Sequence, residues 1–176
     1  MNTSFLPKGY TLRNATWDDL KAITQLIYAV CEYEGDPTLA TSEENLREKW
    51  EDPKTDVTTD TFVVSSPDGK LVGYEEFYNR DEHANLMGIG YVDPAYLGKG
   101  IGTTLLRALE TRARAEMQKA DPNLRVFIRN AMATGDTNAR EMHENEGYRP
   151  IRFFWRMEIE LDEAPSIPSF PEDIEL

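Results

Sequence analysis

Three glycines at alternate positions, in the run Leu97-Gly98-Lys99-Gly100-Ile101-Gly102-Thr103, are the residues of this 176-residue chain best suited to holding an anion. Lacking Cβ atoms, they leave the backbone amides of residues 98–103 uncovered. A long amphipathic pattern begins at Ile101, so those amides lie where a helix dipole presents its positive end. As a bare pattern, the run is equally a tight strand-to-helix turn. Spacing separates it from two other phosphate cradles. A P-loop needs a Ser or Thr next to its lysine, but Lys99 is followed by Gly100 and has no matching upstream glycine. A dinucleotide fingerprint needs a third glycine where Thr103 stands.

Other reactive side chains are few. Cys31 is the single cysteine, and one thiol builds neither a disulfide framework nor a Cys-rich zinc site. No metal is expected. Glu75 and Glu76 are adjacent in a strand-like run and so face opposite sides, which lets at most one look into a cleft. The two histidines are His83, in a polar loop, and His143, in a helical pattern. Near pH 7 only a fraction of an unperturbed imidazole is charged.

The elements that must position these residues follow from periodicity. Tyr10 to Arg13 is extended, and Thr16 caps a helix with Leu20, Ile23, Ile27 and Val30 on one face, ending by Gly35-Asp36-Pro37. Ser42 opens a second helix that Pro53 ends. Thr61 to Ser65 and Leu71 to Tyr78 flank Ser66-Pro67-Asp68-Gly69-Lys70, a hairpin signal. Leu86 to Val92 is the strand before the glycines, and Ile101 to about Lys119 is the helix after them, with Ile101, Leu105, Leu109, Ala113 and Met117 in one stripe. A strand at Leu124 to Ile128 and a short helix from Asp136 or Thr137 to Glu146 come next, with Gly147 as C-cap. Two last strands are expected at Tyr148 to Phe154 and Met157 to Leu161. The fold class expected is α/β, a mixed, mostly antiparallel twisted sheet with helices on both faces. Residues 1–162 form the domain, and residues 163–176 a Pro-rich acidic tail.

Composition narrows the partners. With 19 Lys plus Arg against 32 Asp plus Glu, the formal charge is −13. That opposes long-range attraction to a nucleic acid, and Arg112, Arg114 and Arg140 are too scattered to make a basic patch. No apolar run approaches the roughly 20 residues that cross a bilayer, and no secretory signal is recognisable at the N-terminus. A cytoplasmic protein with no membrane partner is expected.

The pattern Val92-x-Pro94-x-x-x-Gly98-x-Gly100-Ile101-Gly102-x-x-Leu105, on this element order, resembles the acetyl-CoA-binding motif of the GNAT superfamily of N-acetyltransferases. The resemblance runs from Tyr10 to about Leu161. It implies acetyl-CoA as cosubstrate, with the CoA pyrophosphate on the amides of Leu97, Gly98, Lys99, Gly100, Ile101, Gly102 and Thr103. Leu97 stands where the family usually has Gln or Arg. The strand edge ending in Tyr91 and Val92 would pair with the pantetheine arm. Asn138 matches an asparagine that contacts this arm, and His143 occupies the position of a tyrosine that protonates the leaving thiolate. The implied activity is transfer of an acetyl group to a primary amine of a small molecule by direct attack, and the acidic surface favours a cationic acceptor. The alternative is an acyl-CoA-binding or regulatory domain that has lost catalysis. Tyr28 to Thr41 and Tyr78 to Asn85 would line the acceptor side. The C-terminal run also resembles the junction in tandem acetyltransferases, leaving a sheet edge open to a second copy and hence to a homodimer.

Overall fold

A computed structural model describes residues 4–165. Five strands form one sheet in the order β1 (Thr11–Arg13), β2 (Thr61–Ser65), β3 (Leu71–Asp81), β4 (Asn85–Val92) and β5 (Phe127–Asn130). Neighbours are antiparallel through β4, and β4 with β5 is parallel. The β2–β3 turn forms because Gly69 takes φ +86, in the left-handed region that glycine adopts freely, while the Ser66 amide donates to Lys70 O at 2.9 Å. The β3–β4 turn is tied down by a histidine. The His83 amide donates to Asn79 Oδ1 at 3.0 Å, and the His83 ring meets Glu116 at 2.6 Å.

Helices cover both faces, as the alternation of apolar residues in β2 and β3 requires. On one face, α1 (Leu20–Tyr33) buries Leu20, Ile23, Ile27 and Val30 with Leu46 and Trp50 of α2 (Glu43–Glu51), against Val63 and Tyr74. On the other, α4 (Ile101–Met117) packs Ile101 and Leu105 on Phe62, Val64 and Val72. Further along this second face, Leu106 and Leu109 meet Phe77 and Leu86, with Met142 of α5 (Thr137–Asn145) beside them. Each such side chain stabilises by roughly 1.5–3 kcal/mol, so packing on the sheet holds these helices. A one-turn α3 (Val57–Asp60) precedes β2, capped by Asp56 accepting from the Thr58 amide at 3.0 Å.

Two expectations are corrected. The fifth strand starts at Phe127 instead of Leu124, because Asp121 turns the chain locally: its Oδ1 accepts from Asn123 N at 2.8 Å and its carbonyl from Leu124 N at 3.0 Å. The strands expected at Tyr148 to Phe154 and Met157 to Leu161 do not form. A strand needs a neighbouring edge, and here Arg156 donates to Asp36 Oδ2 at 2.7 Å and Thr38 Oγ1 at 2.9 Å, tying the segment to the α1–α2 connection and away from the edge of β5. Ile151, Phe153, Trp155, Met157, Ile159 and Leu161, which alternate as a half-buried strand would, are all exposed. Of the expected tail, residues 166–176 lie outside the described residues.

Candidate active site

Strands β4 and β5 pair over only four residues, from Asn85↔Phe127 to Gly88↔Asn130. Beyond Asn130 they part, so among the described residues Ile89, Gly90, Tyr91 and Val92 have no strand partner on the β5 side. A cavity of about 540 Å³ opens past this point, lined by Val92 and Leu97, by Asn138 at the start of α5, and by Val30, Tyr33 and Glu34 at the end of α1. Three residues singled out by sequence, Val92, Leu97 and Asn138, thus line one cavity. Tyr91 contributes backbone, while its half-buried ring packs towards the α1 side and its hydroxyl is pushed up to about 12, chiefly by desolvation.

The glycine run makes the turn into α4. Gly98 and Gly100 both take φ +74, and Gly100 is the N-cap, offering no side chain to the first amides of the helix. Helices α2 and α5, by contrast, are capped by Ser42 and Asp136 side chains accepting from Asn45 N and Ala139 N. The uncapped amides of Ile101, Gly102 and Thr103 fit a phosphate. Around them the glycines differ. A Cβ on Gly100 would lie 2.3 Å from the Phe5 carbonyl oxygen, and one on Gly102 would lie 2.8 Å from Met142 Sδ, so the protein itself occupies both spaces. A Cβ on Gly98 would meet nothing within 4 Å, leaving that position open to a ligand. Ile101 is a core side chain, 1% exposed, and offers only its amide. Lys99 Nζ lies 4.4 Å above the Tyr96 ring.

His143 sits apart from this cavity, buried on α5. Its Nδ1 donates to Ala139 O at 2.7 Å, its Nε2 lies 2.9 Å from Asn130 Nδ2, and its ring meets Tyr148 edge-on at 5.2 Å. Both nitrogens are therefore engaged within the protein. Helix α5 is clamped onto α4 by Arg107, whose Nε and Nη2 donate to Glu146 at 2.9 and 2.8 Å.

The two neighbouring glutamates of β3 do face opposite sides, and both are buried. Glu76 points towards α2 and pairs with Lys49 at 2.9 Å. Glu75 points towards α4 and α5, and among the described residues it pairs with no cation. Of the segments expected at the acceptor side, Tyr33 and Glu34 do reach the cavity. Tyr78 to Asn85 lie at the far end of the sheet, since the seven steps of β4 from Asn85 to Val92 span roughly 23 Å. Sequence reasoning missed the role of Asp136, which lines the cavity beside Glu34. Desolvation, then the charge of Asp136, raise the Glu34 carboxyl.

Comparison with known proteins agrees with this geometry. Residues 19–148 match the model of the acetyltransferase (GNAT) family. A GCN5-related N-acetyltransferase from Sphaerobacter thermophilus is 32% identical, with a TM-score of 0.76 over 84% of this chain and 45% of that one. The chain thus spans less than half the length of that relative. The Salmonella typhimurium protein yncA, solved with its cofactor acetyl-CoA, shares the fold at 20% identity and a TM-score of 0.62, covering 81% of this chain and 80% of that one. An N-acetyltransferase from Staphylococcus aureus Mu50 does so at 20% identity and a TM-score of 0.60, over 78% and 82%. No curated protein matches the chain. With a divided strand pair, an uncapped helix start and the family model agreeing over the same residues, the chain belongs to the GNAT acetyltransferase family, whose cosubstrate is acetyl-CoA.

Proposed function

We propose that this chain transfers the acetyl group of acetyl-CoA to a primary amine of a small, cationic molecule by direct attack. The observation that carries the reading is the parting of β4 and β5 at Gly88 and Asn130 beside the uncapped start of α4. The open edge from Ile89 to Val92 can take up an extended ligand as an added strand, with Asn138 lining the same cavity. The amides of Gly98 to Thr103 would hold the pyrophosphate, with Gly98 the point of close approach. An amide N–H of the open edge would polarise the thioester carbonyl, whose bound acetyl group is the activated reactant.

The acceptor must lose a proton to attack. Glu34 lies in the cavity wall, where partial desolvation and the charge of Asp136 raise its carboxyl, which makes it a better proton acceptor than an unperturbed glutamate. Together with Asp136 it gives the cavity a negative rim that favours an ammonium. The test is thiol release from acetyl-CoA against a panel of amines, amino acids and aminoglycosides. Turnover with at least one primary amine supports the reading. Tight acetyl-CoA binding without turnover of any amine would instead make the chain an acyl-CoA-binding domain.

A further inference from the structure

Glu75 is paired in register with Gly90, and its carboxyl lies across two glycines of β4. A Cβ on Gly90 would come within 2.2 Å of Oε2, and one on Gly88 within 2.8 Å of Oε1. The Gly88-Ile89-Gly90 spacing therefore leaves room for a carboxyl on the strand at the point where β4 and β5 part. Asn130 Oδ1 lies 2.9 Å from the same position above Gly88. Oε1 of Glu75 and Oδ1 of Asn130 are both buried acceptors with no partner. Both atoms come within 3 Å of that one point, and a proton on Oε1 shared with Oδ1 would satisfy both, where two unpaired acceptors would each cost about 1–3 kcal/mol.

From this geometry we infer that the Glu75 carboxyl supplies the proton taken up by the departing CoA thiolate, and that Asn130 and His143 are the residues that hold it in place. The inference rests on the acetyl-CoA reading above. As the C–S bond breaks, its electron pair goes to sulfur, which takes the Glu75 proton and leaves as the thiol. The carboxylate is reprotonated by the proton that the acceptor nitrogen gives up in becoming an amide, so atoms and charge balance.

The hydrogen-bond chain supports this. With Asn130 Nδ2 donating to His143 Nε2, and His143 Nδ1 donating to Ala139 O, neither ring nitrogen has a free N–H to offer a ligand. Turning the Asn130 amide over lets it donate to an ionised Glu75, so Asn130 can hold the carboxyl in both protonation states. Desolvation, with Glu76 beside it, pushes the Glu75 carboxyl up to about 8, so the proton is present at neutral pH. The titratable groups whose charge is felt with that of Glu75 are Tyr148 from the α5 side and, from the opposite face, Tyr91 on β4 and Glu76 on its own strand, while His143 reaches it only through Asn130. Glu110 on α4 accepts from Tyr148 at 3.2 Å, and among the described residues no cation pairs with the carboxyl.

The test is Glu75→Gln, whose amide can donate to Asn130 but cannot release a proton. In the ligand-free chain with ¹³C-carboxyl glutamate, one resonance should titrate near pH 8 and vanish in the variant. Thiol release with the best amine should fall about 10²-fold or more in kcat while acetyl-CoA affinity stays within about twofold. The loss of wild-type kcat as pH rises through about 8 should disappear as well. Glutamates that all titrate below about pH 6, or a folded variant with wild-type kcat, overturn the inference. Should Glu75→Gln not fold, Gly90→Ala displaces the carboxyl without removing it and must lower kcat likewise. A wild-type chain that binds no acetyl-CoA fails the functional reading itself, whatever Glu75 does.

Discussion

Glu75 and Glu76 are one residue apart, of identical chemistry and both inside the protein, yet they live in different surroundings. Glu76, on the α1–α2 face, has Lys49 at 2.9 Å, and Lys49 in turn lies 4.5 Å over the Tyr78 ring. Glu75, on the α4–α5 face, has glycine backbone, Leu109 and an asparagine oxygen around it. A buried carboxylate with a cation is compensated, whereas a buried carboxyl without one keeps its proton. The alternation of a strand thus puts a structural acid and a proton donor on adjacent residues.

The largest effect separating the two should be a pH dependence of stability. A carboxyl whose folded value is raised from 4.5 to about 8 binds a proton in the folded state that the unfolded state has lost. Between those pH values it lowers stability as pH rises, by about 1.4 kcal/mol per pH unit, and below 4.5 it has no effect. Glu75→Gln should therefore remove that slope and leave the variant more stable than wild type at pH 8, while being slower. Urea unfolding at pH 5, 6.5 and 8 measures it. A variant less stable at pH 8 would make Glu75 a structural acid like its neighbour. Next in size, Glu76→Ala leaves Lys49 without its partner and should cost about 2–3 kcal/mol, less than a fully buried pair because Lys49 is 39% exposed. Glu76→Ala should not reproduce the catalytic loss of Glu75→Gln. If it does, the two faces are not distinct. Smaller still, Gly90→Ala should cost about 1–2 kcal/mol from the crowding of a Cβ against Glu75, by thermal melts. The smallest effect concerns the acidic cavity rim: raising salt from about 0.02 to 0.3 M should raise the KM of a cationic acceptor about two- to threefold, since screening acts beyond about 8 Å. Acetyl-CoA affinity should change less. A salt-indifferent KM would remove the charge argument for Glu34 and Asp136.

Much of this was legible from residue types. Ser42 as N-cap, Gly69 in the hairpin and the glycine run before Ile101 are local signals, and each stands where its spacing puts it. What needed three dimensions was register. Nothing local says that Gly90 lies opposite Glu75, although two glycines inside a strand are a signal that something approaches closely. The left-handed Gly100 was foreseen as a place for pyrophosphate, but the Phe5 backbone fills the space its Cβ would take, a contact between residues 95 apart in sequence. The alternating residues 148–161 misled for the converse reason: alternation states which face is apolar, and only a neighbouring edge makes it a strand.

That same segment has an optical consequence. Of the three tryptophans, Trp50 is 2% exposed and Trp17 46%, whereas Trp155 is 86% exposed among the uncovered apolar residues. Its indole should emit at the long wavelengths of a hydrated ring and be open to a soluble quencher such as iodide, while Trp50 is shielded. Whatever comes to lie over Ile151 to Leu161 must dry that ring. A blue shift that grows with protein concentration, or on addition of acetyl-CoA or an acceptor, would report the covering without any attached dye.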